Sequence, residues 1–264
     1  MNDSIESIFL LDICDILSPK LYCMNMLIIF LKRRTLLFIS VLVLLSSCQA
    51  RIDGAVKEGG AADLTLKAAL GPRTTALIRS LRLFLGEGAD APILDGSAIG
   101  RSMALAPGMR SVTLRNNDLH ALEGSISISN VGDFLDLGAE KSRFITFTEG
   151  HETSSLILTL NRDSAPELIS RLSPEVAEYL SALMAPVLLG ETMTRKEYLD
   201  LVASIYGQPV AGEIADSRIH GSIEFPRQVK AIQGGRASGR QAEFDIPLLD
   251  ILVLESALRY EVSW

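Results

Sequence analysis

The chain has 264 residues, 48% of them hydrophobic and 22% charged, with a formal net charge of −7. That length carries one large or two small domains, and the acidic balance excludes a broad nucleic-acid footprint. The three cysteines are Cys14, Cys23 and Cys48, so nothing beyond Cys48 can form a disulfide, a thiolate nucleophile or a cysteine metal site.

In chain order, residues 1–25 are a poor start for an exported protein. Asp3, Glu6, Asp12 and Asp15 face a single cation, Lys20, while Met24 and Met26 stand closer to a basic cluster. The segment reads as an extension upstream of the true translation start. Residues 26–47 read as a signal peptide. Lys32, Arg33 and Arg34 form the positive part, residues 36–45 an apolar run broken by Ser40, and Ser46 and Ser47 a small-residue cleavage site. A spanning helix needs about 20 apolar residues, and extending this run back to Leu27 would bury three cations, which is costly. A single transmembrane helix is therefore the weaker alternative.

Leu45-Ser46-Ser47-Cys48 matches a lipobox, and the segment resembles a bacterial lipoprotein signal. The resemblance implies a diacylglyceryl group on the Cys48 thiol, cleavage before Cys48, and a further acyl chain such as palmitate on the freed amine. Each buried methylene adds about 0.8 kcal/mol, and stable anchoring takes more than one chain. Residues 48–53 are then the lipidated anchor and a short tether. The expected address is the cell envelope, at the outer membrane or the periplasmic face of the inner membrane. By the sorting rule of some diderm bacteria, Gln49 in place of an aspartate permits transfer to the outer membrane.

Past the anchor, residues 52–68 read as a hairpin turned by Gly59 and Gly60, with Leu64 and Leu66 alternating against Thr65 and Lys67. Thr74 or Thr75 caps a helix to about Leu85, and a second short helix covers residues 97–106. Strands follow around Val112 and Leu114, through Ile126 and Ile128, and as a hairpin on either side of "EGHE". The period then changes. Ser164 to Glu167 and Thr194 to Glu197 are capping boxes. Val176, Tyr179, Leu180, Leu183, Met184, Val187 and Leu188 fall at helical steps, with Pro186 expected to kink the end. From Ile219 the chain reads as strands again, with "QGGRASG" as a turn and "LLDILVL" within the strand-like part.

Runs of strands, then helices, then strands predict an α+β fold: an antiparallel sheet with a helical block packed on one face. Residues 54–264 are read as one domain, with a two-lobed split near 162 and 208 as the alternative. "IEFPRQVKAIQGGRASGRQAEFDIPLLDIL", residues 223–252, resembles the end of the LppM-type lipoprotein domain. It departs from that pattern at Pro226-Arg227, where family members often carry Pro-Gly. The lipoprotein signal on an acidic α+β body is also similar to uncharacterised spirochaete lipoproteins. These resemblances imply an envelope lipoprotein domain and no catalytic residues.

Motifs for chemistry are sparse. There is no G-x-S-x-G elbow, P-loop, G-x-G-x-x-G or H-E-x-x-H. His151 lies between Glu149 and Glu152, but alternate residues on a tight turn point apart, so a solvated hairpin tip is preferred to a metal ligand. His120 reads as a turn residue and His220 as a solvent-facing strand position. The pairs Asp133 with Asp136 and Glu255 with Glu261 read as exposed. Arg79 and Arg82 share a helix face that suits solvent better than anionic headgroups. The aliphatic helix ending near Leu188 suits core better than a lipid pocket. The expectation is a membrane-anchored, non-catalytic protein with no cofactor, binding an apolar ligand or a partner protein. A structural or assembly lipoprotein is the alternative, and an unrecognised hydrolase a more distant one.

Overall fold

In the computed structural model, residues 49–84, 91–135, 144–170, 172 and 174–264 are described. Cys48, the signal segment and Asp136 lie outside them. Gln49–Trp264 belong to a single unit.

Polar and apolar side chains alternate from the first described residue. β1 (Gln49–Val56) carries Arg51 and Asp53 on one side, and Ile52 and Val56 on the other. The turn that follows uses Gly59 at φ 78° and Gly60 at φ 76°, a region closed to most side chains. β2 (Ala62–Ala69) returns antiparallel, in register from Val56 with Ala62 to Gln49 with Ala69. Residues 49–53, expected as a tether, are therefore strand. Their alternation matches the pleat, and both neighbours satisfy their backbone groups.

α1 (Pro72–Phe84) follows. Its first amides are met by a distant carboxylate: Glu213 accepts from Arg73 N at 2.7 Å and from Thr74 N at 2.8 Å. That satisfies orphan donors and suits the positive end of the helix. α2 (Gly96–Ala104) is capped by Asp95, which accepts from Ser97 N and Ala98 N. β3 (Met109–Asp118) and β4 (Ala121–Ile128) extend the first sheet. A short helix, α3 (Val131–Leu135), precedes β5 (Ile145–Thr148) and β6 (Ser155–Leu160), the expected hairpin.

The helical block is α4 (Ala165–Ser170), α5 (Pro174–Leu183), α6 (Ala185–Leu188), α7 (Arg195–Tyr206) and α8 (Gln208–Asp216). Pro186 does more than kink the aliphatic helix: it divides it into α5 and α6 at Met184, since proline donates no amide and clashes with the preceding turn. The Thr194–Glu197 capping box forms as expected. α8 was not anticipated. It begins directly after Gly207 with proline in its first turn, where proline is tolerated.

β7 (Arg218–Glu224), β8 (Ala231–Gln233), β9 (Gly235–Ser238), β10 (Gln241–Pro247), α9 (Leu248–Val253) and β11 (Leu258–Ser263) complete the chain. The stretch "LLDILV", read as strand-like, is the helix α9. A short apolar run has no period that separates the two. The glycine-rich segment is also more than a turn. Gly234, at φ 77°, passes the chain from β8 in one sheet to β9 in the other, and the tight turn lies at Gly239.

The fold is α+β, as expected, with two sheets. The seven-stranded sheet runs β3-β4-β2-β1-β7-β10-β9, and the four-stranded sheet β5-β6-β11-β8. Among the described residues, all pairings are antiparallel except β1 with β7. Among the described residues, three clusters form the core. Between the sheets, the Trp264 ring lies tilted against Phe225, with centroids 4.3 Å apart, and approaches Phe147 at 6.1 Å, over Val56, Ile126 and Ile128. α2 lays Ile99 on Leu114 and Leu122. The helices surround Met184, Tyr198, Ile214 and Leu252. Each such fully buried side chain contributes roughly 1.5–3 kcal/mol.

Candidate functional site: an open polar sheet face

The large apolar residues of the seven-stranded sheet all turn to the same side. The register lines up what remains. Arg115, Glu123, Lys67, Arg51, His220 and Asp245 form one row across six strands; Thr113, Ser125, Thr65, Asp53, Ser222, Glu243 and Arg236 form the next across all seven. A period-two pattern fixes this outcome, because a one-residue slip would reverse every side chain. No aromatic or large aliphatic residue occupies either row.

The β1-β7-β10-β9 part of this face holds a groove of about 570 Å³, lined by Arg51, Asp53, His220, Ser222, Arg236, Glu243, Phe244 and Asp245 with Gly221, Gly234 and Gly235. A second groove of about 510 Å³ continues it past Asp53 and Ser222 to Glu224, Ser238, Arg240 and Gln241. Arg51 Nε donates to Asp53 Oδ2 at 2.6 Å, and His220 Nδ1 lies 3.3 Å from Asp245 Oδ1. Gln241 Nε2 donates to Ser222 Oγ at 2.7 Å, and Arg240 pairs with Glu224.

On the β2-β4-β3 side, hydrogen bonds from Lys57 and Ser127 hold the Asp63 carboxyl below its ordinary value. Arg115, with Asn117, does the same for Glu123. The hydrogen bond to Asp53 raises the Arg51 guanidinium. These shifts fix the groups as ions, whereas a general acid needs a carboxyl pushed upward. The face carries acidic, basic and hydroxyl side chains side by side.

The groove does bring together His220, Asp245 and Ser222. The Asp245 side chain is 57% exposed, and the Ser222 hydroxyl accepts from Gln241. Among the described residues no hydrogen bond joins Ser222 to His220, the bond that activates a serine nucleophile.

The other residues singled out from sequence lie apart. His120 pairs with Asp118 in the β3–β4 turn. His151 sits on the exposed tip between β5 and β6, where its carbonyl accepts from Arg227 at 3.0 Å. Among the described residues no group of three or more His, Cys, Asp or Glu is arranged for a metal. Glu255 accepts from Arg195 N and Glu261 pairs with Arg259, so those acids do not act together. Arg82 does not share a solvated face with Arg79: it donates to the Tyr179 hydroxyl at 3.0 Å and to Ala91 O at 3.1 Å. Met184 and Val187 are buried in the helical core. Among the described residues no helix is long and apolar enough to cross a membrane. Cys48, the predicted lipidation site, lies outside the described residues.

No family model matches the chain, and no curated protein matches it. Among solved structures, the folded domain of LppM from Mycobacterium tuberculosis is similar with a TM-score of 0.39 and 9% identity, over 83% of this chain and 89% of that one. A likeness of that size establishes no residue equivalence.

Proposed function

We infer that this chain is a lipid-anchored protein of the bacterial cell envelope, held at Cys48, whose role is binding and not catalysis. The observation that carries the reading is the sequence Leu45-Ser46-Ser47-Cys48 after a short apolar run, immediately ahead of a folded strand. A cleaved, acylated signal explains why the strongest apolar run of the chain stops there.

The partner that suits the body is a hydrophilic protein surface. The grooves are lined mainly by charged groups, hydroxyls and an amide, and mixed charges favour specificity for a complementary surface. The apolar-ligand version has less support, since the aliphatic stripe that could line a pocket is used in the core.

Labelling cells with clickable palmitate, then analysing the amino-terminal peptide by mass spectrometry, tests the anchor. Label on the wild-type chain and none on Cys48→Ser is the expected result. A free Cys48 thiol, or a native chain that stays in the aqueous phase of a detergent partition, overturns the reading. Ester turnover by the purified chain that Ser222→Ala abolishes would replace binding by hydrolysis.

A further inference from the structure

An anchor at Cys48 would have no slack. Gln49 is already paired on both sides, with Ala69 of β2 and Arg218 of β7. One peptide unit places the Cα of Cys48 about 3.8 Å from that of Gln49. The end of the sheet where Gln49 stands is also where the helices attach. α1 starts after Leu70 and Gly71, α8 leads through Ser217 into β7, and α9 follows β10 directly. Glu213 joins α8 to α1, and Leu248 N donates to Ser217 O at 2.9 Å.

Among the described residues, the exposed large hydrophobics belong to α1, α6 and α7 or their ends, apart from Leu105 after α2. They are Leu83 in α1, Leu188 and Leu189 at the end of α6, and Leu201, Ile205 and Tyr206 in α7, which leads through Gly207 into α8; Ile205 is 60% exposed. The opposite end of β1 and β2 carries the turn at Lys57, Glu58 and Gly59, and Glu149, which accepts from Gly59 N.

We propose that the helical end of the body rests against the bilayer surface, with Leu201, Ile205 and Tyr206 of α7 at the lipid interface and the strands pointing outward. Tyrosine at the edge of an apolar patch suits that interface. Eight residues of β1 at about 3.3 Å each place Lys57 roughly 26 Å farther out. The orientation rests on the lipid anchor inferred above.

The test uses the absence of cysteine beyond Cys48: once Cys48 is acylated in the mature protein, an introduced cysteine is the sole free thiol. The full chain carrying I205C or K57C is expressed, purified in its processed form, labelled with a fluorophore and reconstituted into phosphatidylethanolamine–phosphatidylglycerol vesicles containing doxyl-lipid quencher. Quenching at I205C several-fold stronger than at K57C is expected, and L201C gives the same reading if I205C does not fold. Equal, weak quenching at both ends in protein shown by mass spectrometry to be acylated at Cys48 overturns the orientation and leaves the anchor standing. An unacylated Cys48 overturns the anchor, and the orientation with it.

Discussion

The hydroxyl of Tyr198 donates to the carbonyl of Leu183 at 3.0 Å, joining α7 to the last residue of α5. The proline break at the end of α5 and the burial of α7 thus meet in one bond. Tyr198 is 2% exposed, and burial raises its phenol well above the ordinary value, so it stays a neutral donor across the pH range in which proteins fold.

Tyr198→Phe keeps the ring and leaves the Leu183 carbonyl without its donor. A loss of about 1–2 kcal/mol is expected, against about 3–5 kcal/mol for Tyr198→Ala, which opens a cavity as well. Urea denaturation of both variants checks the ratio; an unchanged midpoint in Tyr198→Phe would mean that the hydroxyl contributes nothing.

Arg162 fastens the end of α9. Its guanidinium donates to Leu254 O at 3.2 Å, to Val253 O at 3.3 Å and to Glu191 O. Leu254 itself adopts φ 46°, a left-handed cap without glycine. Arg162→Ala is expected to cost about 1–3 kcal/mol by stranding part-buried carbonyls. Hydrogen exchange should show the loosening first in α9.

The junction between the sheets is sensitive to one methyl group. A Cβ on Gly234 would meet Tyr260 Cδ1 at 2.6 Å, whereas one on Gly239 would meet nothing within 4 Å. Both glycines have positive φ, so alanine at either pays the left-handed penalty of about 1–2 kcal/mol. Gly234→Ala should lose measurably more than Gly239→Ala, and thermal melts of the pair isolate the clash.

Acid should weaken the α7 capping box. The backbone amide and hydroxyl of Thr194 hold the Glu197 carboxyl below its ordinary value of 4.5. The folded pKa is therefore the lower one. The contribution is complete above the unfolded value and is lost as pH falls through the folded value. The gap in urea midpoint between the wild-type chain and Glu197→Ala is expected to be widest near neutrality and to narrow below pH 4.5; a gap that does not change with pH refutes the assignment.

The polar face should tolerate change in stability terms. His220 and Asp245 have side chains 44% and 57% exposed, and exposed pairs contribute about 0–1 kcal/mol. His220→Ala is expected to leave the urea midpoint nearly unchanged. If the proposed partner docks there, the same variant lowers its affinity.

How far the sequence revealed this fold varied by element. The β1–β2 hairpin, the β5–β6 hairpin and the Thr194–Glu197 cap were legible because glycine, alternation and a capping box act over a few residues. α8 and α9 were not: one begins at a glycine-glutamine-proline step that looks like a boundary, and the other is a short run without period. The candidate site was half legible. Alternation marks His220 as solvent-facing, but only the long-range pairing of β1 with β7 sets Arg51 beside His220, and only the register of β10 adds Asp245.

That parallel pairing also sets an order of assembly. β1 and β2 leave the ribosome early and can close on each other at once. The second edge of β1 has no neighbour until β7 has been synthesised. Contacts so remote in sequence slow folding, and an open edge recruits other chains. Nascent chains that stop short of Arg218 should therefore need a chaperone to stay dispersed.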